Sequence, residues 1–142
     1  METRIIEYNS ADYAAMISLR LNVLLHPIGI TESYINKEKE KEDILIGLFH
    51  NEQLIGCCIL TMINKETIQL RQMAVFPQFQ KSGSGRKIVA FAESVAKEKG
   101  FTILIMHARD AVLDFYKKCG YRISGPQFFE VGIPHHRMEK QL

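Results

Sequence analysis

The segment Gln80–Lys87 contains the residues best suited to bind an anion. It reads QKSGSGRK and joins a strand-like apolar run to an amphipathic helical pattern. Glycines at a helix start leave backbone amides accessible where the helix dipole already favours negative charge. Residues 67–92 include no Asp or Glu, whereas Arg71, Lys81 and Arg86 are basic. A helix stabilised only by its own residues would carry acids in its first turn. The pattern therefore predicts an external anion, with phosphate, and hence a nucleotide-bearing cofactor, as the natural candidate.

Two familiar phosphate-binding motifs do not explain this segment. The P-loop pattern G-x-x-x-x-G-K-[ST] has no match in the chain. The dinucleotide fingerprint G-x-G-x-x-G finds its first two glycines at Gly83 and Gly85, but Ile88 occupies the third position. For the glycines alone, a strand-to-helix turn without a ligand is the alternative. The missing acids and the clustered cations favour an anion site.

Size and composition are those of an ordinary globular protein. The chain has 142 residues, 46% hydrophobic and 24% charged, and we expect residues 1–142 to form one domain with its own core. The net charge of +2 is too small to indicate a nucleic-acid partner. No apolar run approaches the roughly 20 residues that span a bilayer, and the N-terminus lacks a secretory signal. We therefore expect no membrane partner and a cytoplasmic location.

The three cysteines fit a reducing compartment. Their odd number and the lack of a C-x-x-C spacing argue against a disulfide framework and against a zinc site. Cys57 and Cys58 are adjacent in a strand-like run, so their side chains should point to opposite faces of a sheet. We expect buried thiols there, and we expect no metal ion.

Hydrophobic periodicity predicts the elements that must position these residues. Strands are expected at Thr3–Tyr8, Ile44–Phe49, Gln53–Met62, Ile68–Val75, Thr102–His107, Tyr121–Ser124 and His136–Gln141. Helices are expected from Ser10 or Asp12 to about His26, and at Thr31–Ile35, Gly85–Lys99 and Asp110–Cys119. The charged run Asn36–Asp43 is expected as a solvated loop or helix end. This order of elements predicts an α/β or α+β fold around a mixed sheet.

Three motifs together resemble one known family. Val75-Phe76-Pro77, then Gln80-x-x-Gly83-x-Gly85 and a helix, is similar to the acetyl-coenzyme A motif Q/R-x-x-G-x-G/A of the GNAT superfamily of N-acetyltransferases. Asp114–Tyr121 (DFYKKCGY) resembles that superfamily's A-x-x-F-Y-x-x-x-G-F/Y element. Gly132–Met138 (GIPHHRM) resembles the G-I-P-H-x-x-M ending of a small bacterial-type branch.

Two shorter elements extend the resemblance over nearly the whole chain. Arg20–Leu24 is similar to the branch's R-x-x-V-L/F element, and His107–Arg109 is similar to its H-A-Q. Position 109 therefore holds Arg in place of Gln, which would either alter acceptor preference or be a surface change. The glycine segment carries Lys81-Ser82 and Ser84 where many members have Arg-Gly and Ile or Leu, so the residues there stay small or basic.

The resemblance implies a fold and a cosubstrate. The fold would be a mixed, mostly antiparallel sheet, splayed between strands four and five and flanked by about four helices. Backbone amides from Lys81 to Arg86 would hold the pyrophosphate of acetyl-coenzyme A. Free backbone groups near Met73 and Val75 would pair with its pantetheine arm, and the amide of Met73 would polarise the thioester carbonyl. The implied cofactor-binding residues are Met73, Ala74, Val75, Gln80, Lys81, Ser82, Gly83, Ser84, Gly85, Arg86 and Tyr116.

The implied reaction is attack of a neutral amine on the thioester. Tyr116 is the implied proton donor to the departing thiolate, since a phenol with a pKa of ~10 suits that role; the alternative is a core tyrosine. Glu130, His135 and His107 are the candidate bases for the amine proton, each with a structural alternative. Arg71 could meet a carboxylate or phosphate of the acceptor.

The resemblance leaves the acceptor open. It implies a small-molecule or peptide amine, held by the first helices, by residues 64–67 and by residues 127–135. It also implies that the protein pairs into a homodimer. A different class of function is a coenzyme A-binding sensor, or a partner-binding module, that keeps the fold without turnover. An intact glycine segment and Tyr116 argue for the enzyme.

Overall fold

A computed structural model describes residues 1–142, and one mixed eight-stranded sheet runs through it. The strands are β1 (Glu2–Ile6), β2 (Ile44–His50), β3 (Gln53–Met62), β4 (Thr67–Val75), β5 (Ile103–Arg109), β6 (Arg122–Ile123), β7 (Phe128–Glu130) and β8 (Ile133–Gln141). Their spatial order is β1-β2-β3-β4-β5-β8-β6, with β7 paired to β8. Only β4 and β5 are parallel neighbours, so the predicted mixed, mostly antiparallel sheet is confirmed.

The helices lie on both faces of this sheet. The α-helices are α1 (Ala11–Arg20), α2 (Lys37–Glu40), α3 (Ser84–Glu98) and α4 (Leu113–Lys118). Shorter turns of other helical types are Leu21–Leu25 (π), His26–Ile28, Glu32–Tyr34, Pro77–Phe79 and Asp110–Val112 (3₁₀). None of the helices is both long and apolar enough to cross a bilayer.

The first helix reaches the predicted end near His26 but changes its winding after Arg20. Leu21–Leu25 winds as a π-helix before the 3₁₀ turn that contains Pro27. Pro27 has no N–H group, so it cannot donate a hydrogen bond to a carbonyl of the preceding turn. In that turn the carbonyl of Leu24 accepts a hydrogen bond from Arg109 Nη2 at 3.1 Å. A contact from β5 therefore stabilises the wider turn, which sequence periodicity alone does not predict.

Each face of the sheet has its own hydrophobic core. One core lies beneath α3 and α4 and includes Ile88, Ala92 and Ala96 of the predicted apolar stripe. The other lies beneath α1 and the π turn. Cys57 and Cys58 are fully buried, in the α1-side and α3-side cores respectively, as the alternation of a strand requires.

The sheet opens between β4 and β5. Their parallel pairing runs from Thr67↔Ile103 to Leu70↔Met106 and then stops, while β5 continues in pairing with β8 as far as Arg109. The predicted splay between strands four and five is confirmed. The opening begins where β4 changes its register against β3. The change is seen in the pairs, because Cys57 lies opposite Ala74 but Ile59 lies opposite Arg71.

This change of register is a β-bulge at Gln72 and Met73. Both residues lie opposite the single position 58, and Gln72 has a left-handed φ of 55°. A bulge shifts the alternation of side chains by one residue. Leu70 and Met73, three residues apart, consequently both pack on the α3 side. The bulge therefore changes which face each β4 side chain reaches at the point where the sheet opens.

The charged run Asn36–Asp43 is mostly exposed, as predicted, but Glu40 is buried and Asp43 is half-buried. Glu40 is 4% exposed, and its carboxylate accepts hydrogen bonds from Arg20 Nη1 and Nη2 at 2.9 and 2.8 Å and from Tyr13 Oη at 2.7 Å. The side chain of Asn36 caps α2 by accepting from the Lys39 amide. One turn of helix thus directs Glu40 inward, against a buried cation that compensates the loss of hydration.

Candidate active site

A cavity of about 630 Å³ lies at the opening of the sheet. Its walls come from β4, β5 and α4, from the π turn and from the β7–β8 hairpin, so elements from both faces of the sheet line it. Most of the side chains named in the sequence analysis line it. They are Arg71, Met73, Ala74, Val75, Gln80, Lys81, Gly85, His107, Arg109, Tyr116, Glu130 and His135.

The glycine segment forms one end of the cavity and leaves its amides unpaired. The first backbone hydrogen bond of α3 runs from Lys87 N to Gly83 O at 3.0 Å, and no backbone carbonyl accepts from the amides of residues 81–86. Lys81 and Gly83 have left-handed φ values of 63° and 84°. No ion pair involves Lys81, Arg86 or Lys87. Free amides, uncompensated cations and a helix N-terminus together favour an anionic ligand.

The two glycines are required for different reasons. Gly83 is the N-cap of α3. A Cβ there would meet open space, so other residues are disfavoured by the left-handed conformation of the backbone and not by lack of room. A Cβ on Gly85 would instead lie 3.0 Å from Cζ of Phe115 on α4. Gly85 therefore allows α3 and α4 to approach closely, which brings Tyr116, the neighbour of Phe115, to the cavity.

The polar side chains of the segment bind mainly to the protein itself. Gln80 Nε2 donates to the Val75 carbonyl at 2.9 Å, which ties the segment to the end of β4. Ser82 Oγ donates to the Phe79 carbonyl and lies 2.9 Å from Ser84 Oγ. Ser84 is buried. These hydroxyls shape the turn, so contacts to a ligand there fall to backbone amides and basic side chains.

Tyr116 reaches the cavity from the α3 side of the sheet. Its ring packs edge-on against Phe115, with centroids 5.0 Å apart, and its side chain is buried. Burial raises the pKa of Tyr116 well above its ordinary value, and the thiols of Cys58 and Cys119 add to that shift. The phenol is therefore protonated throughout the physiological range, as a proton donor must be.

The three candidate bases form one cluster on the cavity wall. Glu130 Oε1 lies 3.2 Å from His107 Nδ1, and Glu130 Oε2 lies 3.7 Å from His135 Nε2. The ring of Phe128 lies 5.1 Å from the His107 ring and 5.7 Å from the His135 ring, measured between centroids. The structure thus brings His107 of β5 to Glu130 and His135, which lie five residues apart at the two ends of the β7–β8 turn.

The two histidines of this cluster differ in accessibility. His135 is buried, and its Nδ1 donates to the carbonyl of Ile133 at 2.7 Å. His107 is about a third exposed. When His107 Nδ1 donates to Glu130, its Nε2 keeps a lone pair free to accept a proton. Of the three, His107 is the group best placed to take a proton from a ligand.

The acceptor side of the cavity follows the predicted segments in part. The end of the first helical region contributes an apolar wall at Val23–Leu25, and Glu130, Val131 and His135 of segment 127–135 line the cavity, whereas residues 64–67 do not.

Of the two alternatives for Arg109, the structure excludes a change on the outer surface, because Arg109 lines the cavity on the same face of β5 as His107. The conformation of the turn that places Glu130 was not predicted: Val131 and Gly132 have left-handed φ values of 48° and 75°.

Comparisons with known proteins agree on the family. A family model described as an acetyltransferase (GNAT) domain matches residues 25–142. The uncharacterized protein YyaT of Bacillus subtilis is 28% identical over 137 residues, which cover 93% of this chain and 90% of YyaT. The crystal structure of a candidate N-acetyltransferase from Lactobacillus plantarum has a TM-score of 0.88 and 25% identity, covering 100% of this chain and 99% of its own.

A further structure resembles this chain in fold. It is a GNAT family acetyltransferase from Elizabethkingia anophelis, determined with acetyl-coenzyme A bound. Its TM-score is 0.78 at 20% identity, with 99% of this chain and 97% of that chain covered.

Proposed function

Because the chain belongs to the GNAT acetyltransferase family, we propose that it transfers an acetyl group from acetyl-coenzyme A to a primary amine. The acceptor is a small molecule or a peptide, and its amine attacks the thioester directly. The observation that carries the proposal is a cavity that reaches the segment of unpaired amides at Lys81 and Gly85 and continues through the opening of the sheet to Tyr116 and the Glu130 cluster. The acetyl-coenzyme A bound to the Elizabethkingia relative supports the choice of cosubstrate.

The coenzyme is held by groups that the protein leaves unpaired. The amides of residues 81–86, with Lys81 and Arg86 nearby, bind the pyrophosphate through charge-assisted hydrogen bonds. The pantetheine arm lies along β4 beyond Leu70, where β5 no longer supplies hydrogen bonds. Met73, Ala74 and Val75 line this stretch of the cavity. The amide of Met73, which is part of the bulge, donates to the thioester carbonyl as negative charge develops.

Proton transfer occurs on both sides of the opening. His107, oriented by Glu130, accepts the proton that the attacking amine must lose, with Glu130 and His135 as the alternative bases. The amine nitrogen bonds to the acetyl carbon, and the carbon–sulfur bond breaks. Tyr116 donates its phenolic proton to the departing thiolate, which leaves the neutral thiol of coenzyme A and an amide. Solvent then takes the proton from His107 and returns one to the Tyr116 phenolate. The proposed reaction uses no metal ion.

The wider setting is also a proposal. Residues 1–142 act as one N-acetyltransferase domain, and a cytoplasmic location is supported by three cysteines that are all free thiols. Pairing into a homodimer through the C-terminal strands is consistent with Phe129 on β7, whose side chain is largely exposed.

The test measures coenzyme binding and turnover separately. Thermal unfolding with and without coenzyme A reports binding, and release of free thiol from acetyl-coenzyme A in the presence of an amine panel reports transfer. We expect stabilisation together with amine-dependent thiol release. Stabilisation without thiol release would favour the coenzyme A-binding sensor. No stabilisation by coenzyme A or acetyl-coenzyme A would refute both functions.

A further inference from the structure

Two guanidinium groups line the acceptor side of the cavity. Leu70 and Met106, the last paired residues of β4 and β5, face the α3 core, so the next residues, Arg71 and His107, point to the opposite face. Arg109 follows on the same face of β5 and reaches the π turn. By the register of the last parallel pair, Arg71 lies level with His107 on the neighbouring strand, and Arg109 lies two residues further along β5; all three side chains line the cavity.

Neither arginine is neutralised by a hydrogen-bonded carboxylate. Arg71 Nη1 donates to Thr61 Oγ1 at 3.3 Å, and its nearest carboxylate oxygen, on Asp43, is 3.9 Å away. Arg109 uses Nη2 to bind the neutral carbonyl of Leu24. A guanidinium has five N–H donors, so each side chain is anchored through one nitrogen and keeps others for a ligand.

The remaining lining of the cavity determines what else the acceptor carries. Glu130 is its only acidic lining residue, and that carboxylate already contacts His107 and His135. A polycationic acceptor would therefore meet the positive charges of Arg109, which has no ion pair, and of Arg71, whose only carboxylate neighbour is Asp43 at 3.9 Å. Next to Arg109, which binds the Leu24 carbonyl, the turns after α1 contribute an apolar wall that includes Leu24, Ile28 and Ile30, which suits an aliphatic or aromatic group.

We propose that the acceptor is an α-amino acid with an apolar side chain. This proposal rests on the proposed function and specifies its substrate class. The carboxylate binds Arg71 and Arg109, the amine lies at His107, and the side chain packs on the apolar wall. An α-amino acid fits because its amine and carboxylate are separated by one carbon, and both arginines share the cavity face of His107, one on the neighbouring strand and one two residues along β5.

A binding test uses reaction products and needs no turnover. N-acetyl-leucine and N-acetyl-leucinamide are the same size and differ in the carboxylate, and neither has a basic amine. Calorimetry with the protein saturated by coenzyme A should give roughly 10-fold tighter binding of N-acetyl-leucine, as charge-assisted hydrogen bonds predict. Arg71→Gln and Arg109→Gln should each reduce this preference to about twofold. Lys99→Gln removes one exposed charge outside the cavity and should leave it unchanged.

A turnover test compares leucine, leucinamide, O-phosphoethanolamine and spermidine. Leucine and leucinamide differ in amine basicity, so the informative quantity is the change in their ratio of kcat/KM between the wild type and Arg71→Gln. We expect that ratio to fall about 10-fold in the variant. Coenzyme A should stabilise all variants equally, which separates loss of the acceptor site from misfolding.

The outcomes distinguish this proposal from the proposed function. Tighter binding of N-acetyl-leucine without turnover of any amine would retain the substrate class and refute the transferase. Turnover of amines with equal binding of the two products would retain the transferase and overturn the amino acid. Faster turnover of O-phosphoethanolamine or spermidine than of leucine would also overturn it, in favour of a phosphate-bearing or a polycationic acceptor.

Discussion

Replacing Arg20 with Met should destabilise the protein severely, although the change lies outside the proposed chemistry. Arg20 is 1% exposed and binds both carboxylate oxygens of Glu40, which also accepts from Tyr13. Met retains much of the volume of Arg and removes its charge. The variant would leave an ionised carboxylate buried, with one hydrogen-bond donor, between α1 and α2.

The expected cost follows from the burial of both partners. Removing one partner of a buried ion pair costs about 3–5 kcal/mol, whereas the whole free energy of unfolding of a native protein is about 5–15 kcal/mol. The midpoint of thermal unfolding should therefore fall by about 10 °C. Replacing the whole group, as Tyr13→Phe, Arg20→Met and Glu40→Leu together, should recover most of the loss, because no buried polar group then lacks a partner.

Urea unfolding followed by circular dichroism measures both variants. The matched control is Arg122→Met, which breaks an exposed ion pair with Glu139 at 3.4 Å and should cost at most about 1 kcal/mol. If Arg20→Met is no more destabilising than Arg122→Met, or if the triple variant is less stable than Arg20→Met, the assignment of a buried, interdependent group is wrong.

Three further predictions concern the site and its support. Tyr116→Phe should lower turnover by roughly 10-fold or more while coenzyme A affinity is retained, since only the donated proton is lost; unchanged kcat across the pH range would exclude that role. Gly85→Ala should lower the unfolding free energy by about 1–3 kcal/mol, because its Cβ meets the Phe115 ring, and Phe115→Leu in that background should restore part of it. Burial raises the pKa of Glu40, but hydrogen bonds from Arg20 and Tyr13 outweigh this and lower it. The contribution of Glu40 to stability is thus fully present at pH values above the ordinary pKa of about 4.3. It is lost as the pH falls through the lower pKa that Glu40 has in the folded protein. Acid titration of stability should be less steep in Glu40→Gln.

The sequence predicts those parts of the fold that depend on local periodicity. The hairpin of β2 and β3, the length of α3 and the opposite orientation of Cys57 and Cys58 all follow from spacing, and the structure confirms them. The family motifs also locate the opening between β4 and β5. These features are encoded by residues close together in the chain or by patterns specific to the family.

Features that depend on distant partners could not be predicted. Glu40 is surrounded in sequence by exposed charges, and only its contact with Arg20, twenty residues away, makes burial favourable. The strand β7 was missed because its turn places Val131, a β-branched residue, in a left-handed conformation that Asn or Gly normally supplies. Glu130 and His135 are close because they flank one short turn, whereas His107 joins them only through the pairing of β5 with β8, which no local pattern specifies.

The opening of the sheet costs backbone hydrogen bonds, and the contacts that replace some of them indicate how the site works. Parallel pairing of β4 and β5 ends after four residue pairs, so the backbone groups beyond Leu70 lose the partners that a continuous sheet would supply. Gln80 supplies a side-chain donor to the Val75 carbonyl, and Arg109 holds the π turn beside the opening. These contacts keep the edges apart without filling the space between them. A strand-like ligand that enters there gains the missing backbone hydrogen bonds. In the proposed complex, its reactive end lies between Tyr116 on one face and His107 on the other.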